Sequence, residues 1–255
     1  MRFGVCGAVQ MAATAAAAGY DYLECPVADL QPETTDAHFQ TDVLPLFRTA
    51  PLPVEAFCSL LPRDLAVVGP YVDQERVLRY LDRALGRIRE VGAHLVVFGS
   101  GAARTVPTGF AVERAQEQIL NFLRCIRDQA APLGLTVVIE PLNHTETNML
   151  LSLSEAMEYV AEIGEPVALL ADFYHMQQEN EPLEHLVEAG AALRHVHVAD
   201  SGRRAPGTGD YPYSAFAEAL ADAQYSGRIS IECRWQAFAL EAAPALRFLR
   251  GVMSS

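Results

Sequence analysis

No two of the five cysteines (Cys6, Cys25, Cys58, Cys125 and Cys233) form a C-x-x-C pair, and their number is odd. That argues against a disulfide framework and a zinc knuckle, and favours reduced thiols in a cytoplasmic protein. No uninterrupted apolar stretch reaches the length of a membrane span, so no membrane partner is expected. Positive charge is scarce: 19 Lys+Arg stand against 32 Asp+Glu, for a formal net charge of -13. Such a field repels polyanions, so nucleic acid is not an expected partner, and the one basic pair in a predicted loop is Arg203-Arg204. Low-complexity tracts are missing apart from the alanines at 15–18, and no linker divides the chain. Arg2 followed by VCGAVQMAATAAAAG resembles a weak export signal. Gln10 and Thr14 break its apolar run, however, and cleavage would remove the first predicted strand.

What is present is a regular alternation. The hydrophobic fraction of 51% is ample for a large core, and 255 residues fit one alpha/beta barrel with no room for a second full domain. Short apolar runs at Phe3–Gly7, Tyr20–Pro26, Pro53–Leu60, His94–Ser100, Thr136–Pro141, Ala168–Phe173, Leu193–Ala199 and Arg228–Arg234 are predicted strands. Longer amphipathic segments separate them. In Gln74–Val91, Val77, Leu78, Leu81, Leu85, Ile88 and Val91 recur at helical steps, and Val112–Ala130 repeats the pattern with Ile119, Phe122, Leu123 and Ile126. Gly19, Gly92, Gly134 and Gly227 mark helix-to-strand junctions, and Asp73 and Ser154 mark helix starts. The expected fold is a single (β/α)8 TIM barrel forming one domain over residues 1–255.

Four residues able to bind hard metal ions close four successive strand-like runs: Glu140 in TVVIEPLNH, Asp172 in VALLADFYH, His197 in RHVHVAD and Glu232 in RISIECRW. In a parallel barrel the carboxyl ends of neighbouring strands converge on one mouth, so groups spread from position 140 to 232 become neighbours. Strand parity agrees. Val138 with Glu140, Leu170 with Asp172, His195 with His197, and Ser230 with Glu232 share the inward face, while Val137, Ile139, Val196, Val198, Ile229 and Ile231 face the helices. His195 then lies one layer below His197, as hydrogen-bonded core rather than a ligand. Glu24 closes the second strand on the face of Tyr22; a reach to the mouth and a structural place are both open. Three carboxylates and one imidazole suit one divalent ion, Mn2+ first, then Mg2+ or Co2+, with Zn2+ less favoured where thiolates are lacking.

The segments IEPLNHTETN, ADFYHM, HVHVADSGRRAPGTGD and SIECRW resemble those of the sugar isomerase and epimerase superfamily. These alpha/beta barrels are similar in fold to xylose isomerase and include ketose 3-epimerases, hydroxypyruvate isomerases and inosose-processing enzymes. The resemblance implies that Glu140, Asp172, His197 and Glu232 hold one metal and that Glu140 and Glu232 also exchange protons with substrate. It implies further that Glu146, His175 and Arg203 bind substrate hydroxyl or carbonyl oxygens, and that the chain forms homo-oligomers. The expected reaction is epimerisation or isomerisation of a small carbohydrate through a metal-stabilised enediolate. A dehydratase or eliminase acting on an inosose or 3-keto-sugar starts from the same step and stays open. Related DNA-repair endonucleases add histidines on the third and fourth strands, and AFCSLL and VVFGSG offer none. Ketose epimerases often line the sugar pocket with tryptophans near the early strands, whereas the lone tryptophan is Trp235. The turn Gly99-Ser100-Gly101 with Arg104 lacks the longer phosphate-loop signature, so a non-phosphorylated substrate is expected.

Overall fold

The computed structural model describes residues 1–254. Eight parallel strands close on themselves in chain order: β1 Arg2–Cys6, β2 Tyr22–Pro26, β3 Val54–Cys58, β4 Leu95–Phe98, β5 Thr136–Ile139, β6 Val167–Asp172, β7 Leu193–Val198 and β8 Arg228–Ile231. The ring closes where β8 pairs with β1, with Arg2 opposite Arg228 and Val5 opposite Ile231. Each predicted apolar run became a strand, with β1 and β6 starting one residue earlier and the other ends trimmed by up to three residues. The trimming at the carboxyl ends of β5 and β8 is informative, because Glu140 and Glu232 sit one residue beyond regular pairing, where the chain turns over the mouth.

The helices form where the periodicity placed them. Gln74–Val91 buries Val77, Leu81, Leu85 and Ile88 along one stripe, starts at Asp73, whose side chain accepts from Arg76 N, and stops at Gly92 with φ 97°. Only a residue without a Cβ takes that left-handed turn freely, so the helix ends there. Val112–Ala130 buries Ile119, Phe122, Leu123 and Ile126 in the same way. One predicted start is corrected: Leu153–Ile163 is capped by Ser152, whose side chain accepts from Glu155 N. Ser154 lies inside that helix. The Glu155 side chain reaches back to the N–H groups of Leu150 and Leu151, so the first turn is satisfied from both directions.

Strand parity sorts the core into two layers. Val137, Ile139, Val196, Val198, Ile229 and Ile231 pack between sheet and helices in the large outer cluster, each fully buried. Burying an aliphatic side chain of this size contributes about 1.5–3 kcal/mol. The barrel interior is divided. Ala56, Cys58, Leu95, Val97, Val138, Ala168 and Leu170, all from β3 to β6, form a small apolar cluster. Opposite them, Tyr22, Glu24, His195, His197 and Ser230 of β2, β7 and β8 make a buried polar block. A Cβ on Gly4 would lie 2.3 Å from the Tyr22 ring, so β1 gives up a side chain to admit that ring. Among the described residues no helix is long and apolar enough to cross a membrane.

Candidate metal and substrate centre

At the carboxyl end of the barrel, ligand atoms of Glu140, Asp172, His197 and Glu232 all lie within 4.8 Å of one another. Two ligands on opposite sides of a cation held at about 2.0–2.6 Å are about 4–5 Å apart, so the cluster has the span of one coordination sphere.

Each member is aimed by its own device. Asp172 ends β6 and caps the helix Phe173–Gln178, its Oδ1 accepting from Tyr174 N at 2.7 Å. Oδ2 is left buried with no hydrogen-bond partner. A buried carboxylate oxygen without a donor is costly unless something else satisfies it. Glu140 passes over Gly99, where a Cβ would sit 1.8 Å from Glu140 Oε2, so only glycine fits. Its main chain is held by Arg104, a fully buried guanidinium that donates to Glu140 O at 2.7 Å and Phe98 O at 3.2 Å. Arg104 is therefore committed to the protein's own carbonyls and makes no phosphate cradle.

His197 is fixed from below. Its Nε2 lies 2.9 Å from Glu24 Oε1, and its Nδ1 faces the mouth, 3.1 Å from Glu140 Oε1 and 3.8 Å from Glu232 Oε2. The other Glu24 oxygen accepts from His195 Nε2 at 2.6 Å and from Ser230 Oγ at 2.6 Å, and Tyr22 OH lies 2.8 Å from that hydroxyl. Burial alone would raise the Glu24 carboxyl, but the charge of His197 and the bonds from both histidines outweigh it and hold it well below its ordinary range. His197 is raised: Glu24 and Glu140 outweigh the burial that would lower it. In His195, burial wins and the ring is pushed down toward neutrality. An imidazole whose far nitrogen is bonded to a carboxylate is the usual support of a metal-binding histidine. Glu24 thus has a place that the sequence left open.

Glu232 carries the signature of crowded charge. Burial, then the neighbouring Glu140 carboxylate, push it up to about 7. Arg203 answers part of this, with Nη2 2.6 Å from Glu232 Oε2 and Nη1 2.8 Å from Glu146 Oε1, and it lies over the Tyr174 ring. A group of three acids and one imidazole that leaves one oxygen unpartnered and one acid strained toward neutrality fits a divalent cation.

The predicted substrate residues separate. Glu146 and Arg203 line a cavity of about 610 Å³ over the mouth, together with Glu140 and Glu232. His175 is buried beneath it: its Nδ1 lies 2.8 Å from Asn143 Nδ2, and Nε2 is 3.6 Å from Asp172 Oδ2. The structure brings it to a ligand rather than to the cavity wall. A larger cavity of about 640 Å³ opens at the amino end of the barrel among His94, Thr136, Arg194 and Arg228. Among the described residues no metal-ligating cluster lies there, and the candidate centre is the one at the mouth.

Asp200 was not singled out by sequence, yet it builds the loop that carries Arg203. Buried, it accepts from Ser201 N (2.8 Å), Tyr211 N (3.2 Å) and Gly207 N (2.9 Å), clamping both ends of the PGTGD turn. Arg203 is held at φ 57°, a left-handed backbone that a non-glycine residue keeps only under such restraint. Asp200→Ala leaves three N–H groups without their acceptor. It should cost about 1–3 kcal/mol and raise KM through the loosened Arg203; thermal melting identical to wild type would refute the clamp.

An acidic, histidine-anchored centre at the carboxyl mouth of an eight-stranded barrel defines a class of enzyme, and the comparisons with known proteins place the chain in it. Residues 12–252 match the Xylose isomerase-like TIM barrel family, and the chain belongs to that family. It is 30% identical over 180 residues to the 3-dehydro-D-guloside 4-epimerase of Escherichia coli (strain K12), covering 67% of this chain and 69% of that protein. It is 30% identical over 231 residues to the L-ribulose 3-epimerase of Methylomonas sp. (strain DH-1), covering 89% and 78%. In fold it matches the crystal structure of a 3-keto-D-glucoside 4-epimerase from E. coli with a TM-score of 0.83 at 24% identity, over 98% of this chain and 99% of that one. Such relatives make this chain an enzyme.

Proposed function

We propose that this protein is a divalent-metal-dependent epimerase or isomerase of a small keto-sugar. One observation carries the reading: Glu140 and Glu232, which line the cavity, meet Asp172 and His197 within 4.8 Å. The named epimerase relatives support the same substrate class.

Glu140, Asp172, His197 and Glu232 would hold the ion, with Mn2+ the expected choice for an oxygen-rich set with one imidazole and Mg2+, Co2+ and Zn2+ as alternatives. A cation there supplies Lewis-acid stabilisation of the negative charge that develops on a carbonyl oxygen when the adjacent carbon loses its proton. The protein supplies the proton transfers. One carboxylate of the Glu140 and Glu232 pair takes the proton from the carbon beside the carbonyl, and the other delivers a proton to the opposite face, inverting that centre. Delivery to the neighbouring carbon moves the carbonyl instead. Arg203 and Glu146 bind hydroxyl or carbonyl oxygens and so fix which carbon lies between the acids, while His175, 3.6 Å from Asp172 Oδ2, reaches substrate only if it turns toward the cavity.

The test is proton exchange in D2O. With Mn2+ present, deuterium should enter one carbon of a reactive keto-sugar, and analysis of the product separates epimerisation, isomerisation and elimination. Dialysis against a chelator should abolish exchange, and Mn2+ or Co2+ should restore it. The returning ion should also raise stability by about 2.7 kcal/mol at a hundredfold excess over its Kd. Undiminished exchange after exhaustive chelation would end the metal-dependent reading.

A further inference from the structure

The mouth cavity has two cationic side chains for which the proposed chemistry has no use. Arg63, in the loop after β3, and Arg234, two residues past Glu232, both line it. The chain contains no lysine, so its 19 basic residues are all arginines, set against 32 acids. In so acidic a protein most guanidiniums find a carboxylate or a carbonyl: Arg76 takes Glu33 and Asp64, Arg124 takes Glu162, and Arg228 takes Glu55. At the mouth, Arg203 is spent on Glu146 and Glu232, and Arg104 on main-chain oxygens. Among the described residues the side chains of Arg63 and Arg234 have no hydrogen-bond or ion-pair partner. The backbone is anchored at Arg234 and close to Arg63. Arg234 N donates to Arg203 O at 2.7 Å, and Leu61, two residues before Arg63, donates to Ser100 Oγ at 2.9 Å.

We infer that the substrate carries a carboxylate, received by Arg63 and Arg234 at the mouth cavity. This deepens the epimerase reading and rests on it for turnover. Arg63 and Arg234, both exposed, add unpaired positive charge to the lining of one cleft in a protein of charge -13, a local field of the sign that draws in an anion. The planar donor fork of arginine matches a carboxylate in two parallel bonds. The same fork also matches a phosphate, and a comparison of the acid with the phosphate ester separates the two. The substrate class is therefore a keto-sugar acid rather than a neutral ketose.

The experiment has a turnover arm and a binding arm, both on the metal-loaded protein. In the first, kcat/KM for deuterium exchange is compared for a neutral ketose, the matching keto-sugar acid and the matching phosphate ester, in wild type and in Arg63→Gln, Arg234→Gln and the double variant. Wild type should favour the acid over the neutral sugar by about tenfold or more, mostly through KM, and the double variant should bring the ratio close to one. Preference for the phosphate ester, or a ratio unchanged in the double variant, overturns the carboxylate assignment. In the second arm, calorimetry compares an aldonate with the corresponding alditol, neither of which can turn over. Wild type should bind the aldonate about tenfold tighter and the double variant should not; equal affinities in wild type overturn the inference. Absence of exchange with all three sugars, alongside selective aldonate binding, would instead defeat the epimerase reading and leave the anion site standing.

Discussion

Glu232→Gln, assayed with its metal loaded, is expected to lower deuterium exchange into substrate by roughly 10²–10⁴-fold, the contribution of a well-positioned acid or base. Glu140→Gln should do the same. The amide keeps an oxygen that can point at the ion and keeps the volume, so what is lost is the ability to carry a proton. Glu232 is the more telling of the two. Its carboxyl, driven up to about 7 by burial and by Glu140, is the group whose charge is least comfortable in the bare site. Neutralising it removes that repulsion, so the Gln variant should fold at least as well as wild type while losing turnover, a pairing that a purely structural role would not give. Arg203 also loses its 2.6 Å partner and keeps only Glu146, so KM should move less than kcat. Metal content measured on the same sample separates loss of proton transfer from loss of the ion. Wild-type exchange in a Glu232→Gln protein of full metal content would remove this residue from the chemistry.

The barrel was legible because its strands are buried on both faces and its helices on one, and the two periods differ enough to be read by eye. Parity carried further than boundaries did. It put Val138, Leu170, His195 and Ser230 inside the barrel and their neighbours outside, as the two core layers now have them. Ends were harder, since Ser152 and Ser154 are both acceptable caps and the choice depends on where Glu155 can reach back. The clustering of Glu140, Asp172, His197 and Glu232 was legible because each stands at the carboxyl end of a strand. Its supports were not. Arg104 recognises main-chain carbonyls, which every sequence possesses, and Asp200 recognises main-chain N–H groups, so neither leaves a pattern to match. Gly99 shows its purpose only once the Glu140 side chain is seen filling the space of its missing Cβ. Glu24 had a faint signal: an acid facing into a barrel cannot stay unpaired, and His195, facing the same interior, was the natural partner.

That pairing supports the second large effect. Glu24→Ala should destabilise the protein by about 3–5 kcal/mol, the usual consequence of removing one member of a buried ionic cluster. For a domain of this size, where 1 kcal/mol moves Tm by about 2–4 °C, the melting point should fall on the order of 10 °C. The reason lies in what remains. Glu24 is fully buried and accepts from His195, His197 and Ser230; without it two imidazoles and a hydroxyl lose their common acceptor inside the barrel, where no solvent reaches them. His197 loses more than stability. The bond at Nε2 is what turns Nδ1 toward Glu140 and Glu232, so a ring freed from Glu24 no longer presents a fixed nitrogen to the ion, and affinity for Mn2+ should drop about 10–100-fold. Glu24→Gln distinguishes the two effects. Its amide oxygen can still accept from His197 and hold the ring's direction, but it brings a donor where His195 and Ser230 both need an acceptor, and it removes the charge that keeps His197 protonated in the bare protein. It should therefore recover most of the metal affinity and only part of the stability. Thermal melts and metal titrations of the two variants decide the matter: an Ala variant as stable as wild type, or a Gln variant no better than Ala in Mn2+ affinity, would show that Glu24 neither carries the buried block nor aims the imidazole.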